Sequence, residues 1–169
     1  MRIYLIGYSY SGKTTMGRGL AERLGFRFFD TDKALEIKYR TTIPLFFERY
    51  GEQAFRIVER QILYSTTELD NVVVSTGGGT ACNDDNIAFM LRNGIVVYLQ
   101  MDVESIMGRL TVSHKKRPLL RGKTTAELRE YILQHLQARL PYYSQAHITA
   151  DAKTATPEEI ANLLSVDRP

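Results

Sequence analysis

Short apolar runs alternate with longer amphipathic stretches along this chain. Ile3–Ile6, Phe26–Phe29, Val72–Val74 and Ile95–Leu99 are predominantly apolar, and three of the four are rich in β-branched residues. Such runs predict strands buried on both faces rather than one. His147–Ala150 is a weaker fifth candidate. Between them lie helical patterns. Met16, Leu20 and Leu24 recur every fourth residue, and Gly25 follows as a stop. Phe55, Val58, Ile62 and Leu63 form a second stripe. Asn83-Asp84-Asp85 opens a helix that Gly94 closes. Thr124 and Glu127 make a capping-box pattern before Leu128–Leu140, which Pro141 is expected to end. Pro157 begins the last helix.

This alternation predicts an α/β protein with a mostly parallel sheet covered on both faces. Ligands in such sheets sit at the carboxyl ends of the strands. The residues to read are therefore those just after Ile6, Phe29, Val74 and Leu99.

Gly7-Tyr-Ser-Tyr-Ser-Gly12-Lys13-Thr14 follows the first strand and opens a helix. It matches the phosphate-cradle pattern, Gly, four residues, Gly-Lys-Ser/Thr. Glycines let successive N–H groups turn inward at phosphate oxygens, and the helix adds the positive end of its dipole. Lys13 can reach terminal phosphates and the Thr14 hydroxyl can ligate Mg²⁺. The alternative is a glycine-containing turn, but the strand-to-helix context is the one the mechanism needs. A nucleoside triphosphate site follows; a reaction does not, since switches, motors and kinases share the cradle.

The other strand ends narrow the choice. The second ends in Asp30-Thr-Asp32. Either carboxylate could serve a metal or an acceptor hydroxyl; alternatively Asp32 only caps the following helix. Val72–Thr76 contains no acid, so Asp30 is the nearest candidate to help hold the metal. Thr76 leads into Gly77-Gly78-Gly79, which reads either as backbone approached closely by a ligand or as a flexible turn. Arg56 is either a helix-surface charge paired with Glu52 or Glu59, or a carboxylate-binding fork. Arg109 to Lys123 holds six bases and no acid. It is either a solvated surface or a lid that carries an arginine over the phosphates.

Composition and charge then sharpen the picture. The chain has 169 residues, 44% hydrophobic and 24% charged, which excludes a disordered or collagen-like protein and predicts a single domain over 1–169. One cysteine, Cys82, excludes an internal disulfide. The opening apolar run is too short for a signal-peptide core, and none approaches the ~20 residues of a membrane span. A cytoplasmic protein is expected. Net charge is +3, with 22 bases against 19 acids. The 109–123 segment holds six of those bases, so the remaining 16 face 19 acids and the rest of the chain is net −3. The basic excess is a property of that one segment. It lacks interleaved aromatic residues to stack bases, which argues against nucleic-acid binding.

In order, the landmarks are Gly7–Thr14, Asp30-Thr-Asp32, Phe55-Arg56 with Glu59, Thr76–Gly79, Arg117-Pro-Leu-Leu120 and Arg139-Leu-Pro-Tyr-Tyr143. With them the chain resembles the shikimate kinase family from about Ile3 to Ala146. The resemblance implies a P-loop kinase of the nucleoside-monophosphate-kinase type, three layers α/β/α, with a five-stranded parallel sheet in the order 2-3-1-4-5. It implies transfer of the ATP γ-phosphate to the 3-hydroxyl of shikimate, in the pathway to aromatic amino acids. By position it assigns Tyr10, Ser11, Gly12, Lys13, Thr14, Thr15, Arg109 and Arg117 to the nucleotide. Thr14 and Asp30 fall to Mg²⁺. Asp32, Arg56, Gly77, Gly78, Gly79 and Arg139 fall to shikimate, with Asp32, Lys13 and Arg117 catalytic. The lid spans about 109–123, and the acceptor-binding helices about 32–63. The expected partners are ATP and shikimate, with no nucleic acid or membrane, and a monomer is the default. Tyr8 and Tyr10 depart from the smaller or apolar residues usual in the family's cradle, which implies tuned affinity.

Two rival readings remain at this level. Another small-molecule kinase of the same fold, such as a gluconate kinase, would share the cradle. A GTPase switch would want Asp-x-x-Gly and Asn-Lys-x-Asp, and the chain has neither.

Overall fold

The computed structural model describes residues 1–112 and 122–166. Five strands form one parallel sheet: β1 (Arg2–Ile6), β2 (Arg27–Asp30), β3 (Val72–Ser75), β4 (Ile95–Gln100) and β5 (Ile148–Asp151). Their order is β2-β3-β1-β4-β5. Around them run α1 (Lys13–Leu24), α2 (Thr31–Tyr39), α3 (Ile43–Ser65), α4 (Asp84–Asn93), α5 (Val103–Val112), α6 (Thr125–Tyr143) and α7 (Pro157–Val166).

The continuous apolar runs bury both faces of the sheet, as their pattern requires. Tyr4, Ile6, Val72, Val74, Val96 and Tyr98 face a core shared with Leu63, Phe89, Met90 and Tyr143. Ile3, Leu5, Val73, Val97 and Leu99 face the opposite core with Leu20, Ala21, Ile160 and Leu164. Neighbours along β1 therefore serve opposite layers. β2 lies at the sheet edge, so its phenylalanines are only half-buried.

Parallel register aligns the strand ends. Asp30 lies opposite Ser75, Ile6 opposite Tyr98, and Gln100 opposite Asp151. After β1 the chain crosses to β2 on one side, and after β3 it crosses β1 to β4 on the other. The order reverses beside β1, and a crevice at that edge is what this topology creates. Hydrogen bonds fix its walls. Thr76 N–H and Oγ1 both donate to Leu5 O, at 3.2 and 2.9 Å. Thr31 Oγ1 donates to Ser75 O at 3.3 Å, tying the start of α2 to the end of β3.

Two elements depart from expectation. α6 continues through Pro141 to Tyr143. Pro141 removes only one backbone donor near the helix end. The last turn is held from outside, by Tyr143 stacked on Tyr98 and donating to Gly78 O at 2.6 Å. α3 contains a break the periodicity does not reveal: Gly51 has φ 79° and ψ 174°. The stretch after this kink carries Phe55, Arg56, Glu59 and Ile62. Leu35, Phe46, Phe55 and Ile62 form a separate small core that joins α2 to α3.

Gly94 closes α4 against the first strand, where an added Cβ would strike the Arg2 carbonyl. That backbone is fixed between β3 and β4 and cannot yield. Gly94→Ala should lower unfolding stability by about 1–3 kcal/mol, read as a lower urea midpoint at unchanged slope.

Candidate active site

The cradle runs from the end of β1 to the start of α1. Gly7, Tyr10 and Gly12 have φ of 146°, 70° and 85°. Positive φ at Tyr10 costs of order 1 kcal/mol for a residue with a Cβ, a strain kept where function needs the turn. Gly7 is closed in by Leu99 O, 2.7 Å from where a Cβ would sit, so only glycine fits there. Lys13 Nζ is buried across the loop. It donates to Gly7 O at 2.9 Å, Tyr8 O at 2.8 Å and Ser11 Oγ at 3.4 Å. Its ammonium thus lies at the loop mouth, where α1 presents its N-terminus. Thr15 follows in the first turn of α1.

Arg109 lies on the outer side of the loop. It donates to Tyr10 O at 2.8 Å and Ala152 O at 3.4 Å. It belongs to the last turn of α5, so the first residues of the basic segment are helix. Arg117 lies outside the described residues.

Thr14 Oγ1 donates to Asp30 Oδ2 at 2.9 Å. These are two hard oxygen donors on adjacent elements beside the cradle. The set fits Mg²⁺, which keeps several waters and takes only one or two protein oxygens. The other oxygen of Asp30 accepts from Lys33 N–H at 3.1 Å, so Asp30 is the helix cap. The capping alternative considered for Asp32 is thereby corrected. α2 begins two residues earlier than Lys33, and Asp32 stands in its first turn.

Gly77–Gly79 is where the remaining predicted residues meet. A Cβ at Gly77 would lie 2.9 Å from Asp32 Oδ1 and Thr80 Oγ1. At Gly78 it would lie 2.6 Å from Ser9 Oγ in the cradle, and at Gly79 2.9 Å from Arg56 Nη2. None of the three has φ in the left-handed region. Side-chain ends crowd all three, and at Gly78 the Ser9 backbone N also lies 3.0 Å from a Cβ position. These contacts make the segment a packed one rather than a flexible turn. On the far side Arg139 Nη1 donates to Gly78 O at 3.1 Å. Asp32, Arg56 and Arg139 come from α2, α3 and α6, and they converge on three residues next to the cradle.

Of the two readings of Arg56, the pairing with its helix neighbours is the one seen. Its Nη1 donates to Glu59 Oε2 at 2.7 Å and its Nη2 to Glu52 Oε1 at 3.5 Å. The same guanidinium faces Gly79. Burial alone would lower its pKa, but Glu59 and then Glu52 hold it above the ordinary arginine value.

Glu59 and Tyr143, named in the sequence only as neighbours of the two arginines, turn out to be buried parts of the site. Glu59 is buried at 3% exposure and bridges Arg56 to Thr80 Oγ1, which donates to it at 2.6 Å. Tyr143 is fully buried under Gly78, and burial raises its pKa. Their spacing carried the signal: Glu59 is three residues from Arg56 and Tyr143 four from Arg139, each pair on one helix face.

A cavity of about 680 Å³ lies elsewhere, beside Tyr39, Arg40, Phe46, Arg49 and Tyr50. It includes none of the predicted site residues. The convergent chemistry is at the strand ends. Among the described residues, no three His, Cys, Asp or Glu side chains cluster as a metal site, and no helix is long and apolar enough to cross a membrane.

His135, one turn before Arg139, lies at this rim. Burial lowers its pKa, and Arg139 and Arg56 push it the same way. Folding therefore disfavours its charged form. Stability is fully present above the ordinary value near 6.5 and falls as pH drops below it. An NMR titration should find His135 protonating below pH 6.5.

The shikimate kinase family model matches residues 10–166. The chain is 40% identical to a shikimate kinase of Parabacteroides distasonis over 167 residues, 96% of each chain. It is also similar to a solved shikimate kinase from Bacteroides thetaiotaomicron. TM-score is 0.89 and identity 37%, over 98% of this chain and 97% of that one. A solved shikimate kinase from Acinetobacter baumannii in complex with shikimate gives TM-score 0.87 and 37% identity, over 99% and 95%.

Proposed function

The chain belongs to the shikimate kinase family, and from that premise we propose how its two rims share one phosphoryl transfer. The protein is an enzyme that phosphorylates shikimate, a step toward aromatic amino acids. The proposal concerns which residues do the work.

ATP is the donor and lies in the cradle. Its phosphates replace the Gly7 and Tyr8 carbonyls as partners of Lys13, and the backbone of Tyr10, Ser11 and Gly12 donates to them. Thr15, beyond Thr14 in the same turn, completes this rim. Arg109 flanks the adenine, and Arg117 is the lid arginine over the phosphates. Thr14 and Asp30 would hold Mg²⁺, which would supply neutralisation of the phosphate charge. Arg56 and Arg139 grip the acceptor's carboxylate, because guanidinium–carboxylate pairs are strong and directional. Asp32 accepts a hydrogen bond from the 3-hydroxyl and aims its oxygen at the γ-phosphorus. The new O–P bond forms as the bond to the β–γ bridging oxygen breaks, and the hydroxyl proton passes to Asp32. The protein supplies position and charge, which this transfer needs most.

One observation carries the reading: Asp32, Arg56 and Arg139 meet at Gly77–Gly79, within contact of Ser9 of the cradle. Carboxylate grip, hydroxyl partner and phosphate site are thereby adjacent.

An ADP-release assay with shikimate, quinate, gluconate and nucleoside monophosphates should show Mg²⁺-dependent turnover on shikimate. Turnover on another member alone would sink the substrate assignment. Asp32→Asn should lose about 10²–10⁴-fold in kcat with ATP affinity little changed; an unchanged rate would remove its role. Arg139→Ala should raise KM for shikimate about 10–100-fold, the loss of a charge-assisted bond, and leave ATP binding nearly intact.

A further inference from the structure

Tyr8 follows the first glycine of the cradle, but its side chain turns away toward the acceptor rim. It is 7% exposed and packs with Met101, Ile106 and Ile132. The Arg139 guanidinium carbon lies 5.1 Å from the centre of its ring. The ring is itself held. Its hydroxyl lies 3.0 Å from His135 Nδ1, and the two rings meet edge to face at 5.7 Å and 90°. His135 is in turn packed against Tyr131 at 5.3 Å. His135 and Arg139 are four residues apart on α6, so Tyr8 bridges successive turns of one helix face.

Beside its interaction with the Tyr143 hydroxyl, Arg139 has two contacts of different kind. Gly78 O takes one N–H and sets the direction of the fork. The Tyr8 ring sets its plane, through the attraction of a cation for an aromatic face. A planar guanidinium recognises a carboxylate bidentately only if that plane is fixed.

We propose that Tyr8 is a positioning residue for the acceptor: its ring is the platform that orients Arg139 toward the shikimate carboxylate, and His135 clamps the ring. This rests on the reading of Arg139 given above. It also gives one residue two duties, since the Tyr8 carbonyl accepts from Lys13 Nζ at 2.8 Å. The backbone serves the phosphate side and the ring the acceptor side, so side-chain substitution separates them.

The test is steady-state kinetics of Tyr8→Leu, Tyr8→Phe, Arg139→Ala and the Tyr8→Leu/Arg139→Ala double variant. KM does not depend on the fraction of folded enzyme, so partial misfolding does not mask the result. Tyr8→Leu should raise KM for shikimate about three- to tenfold, with KM for ATP changed less than twofold. Tyr8→Phe keeps the ring and should stay within about twofold of wild type. In the Arg139→Ala background Tyr8→Leu should add nothing, because the pair acts as a unit. The proposal is overturned if Tyr8→Leu leaves KM for shikimate unchanged, or raises KM for ATP equally. Tyr8→Phe matching Tyr8→Leu, or additive effects in the double variant, would overturn it as well. If Arg139→Ala itself leaves KM for shikimate unchanged, the carboxylate reading falls and this one with it. If Arg139→Ala raises KM and Tyr8→Leu does not, only the platform falls.

Discussion

The absence of three side chains at Gly77–Gly79 is the constraint on which this site depends. A Cβ at any of the three would collide with Asp32, Ser9 or Arg56 at under 3 Å. Each glycine thus removes one obstacle between the end of β3 and a different element. The loop cannot drift to relieve the crowding. Thr76 bonds it back to β1, Asn86 Nδ2 donates to Thr80 O at 2.8 Å, and Cys82 N–H donates to Gly79 O at 3.0 Å. A rigid, bare loop lets α2, α3 and α6 approach within reach of a single small molecule.

Much of this was legible in the sequence. The strands appear because burial on both faces leaves unbroken apolar runs, and the cradle appears because its pattern is local. Asp30, placed by the missing acid after β3, lies against Thr14 as the topology suggested. What escaped were effects made by distant parts. Pro141 sits inside α6 because Tyr98 and Gly78 hold the turn after it. The break at Gly51 looks in sequence like any helix glycine. The glycine triplet announces that something comes close without saying what. Burial of Glu59 depends on Thr80, twenty-one residues away, and no helix periodicity contains that contact.

The two arginines of the acceptor rim are not equivalent. Arg56 is paired with Glu59 and Glu52, and Glu59 is buried at 3% exposure. Removing the carboxylate beside such a pair leaves a charge uncompensated, so the pair is held for geometry as much as for attraction. Arg139 makes no salt bridge to a carboxylate among the described residues; it meets a carbonyl, an aromatic face and the Tyr143 hydroxyl. None of these cancels a full positive charge. In the proposed function, Arg139 would therefore offer the acceptor a charge that no salt bridge among the described residues offsets, while Arg56 would supply a second fork already held by its acids. On the proposed reading, a neutral platform suits Arg139. An acidic partner would fix the guanidinium equally well, but it would cancel the charge the carboxylate must meet.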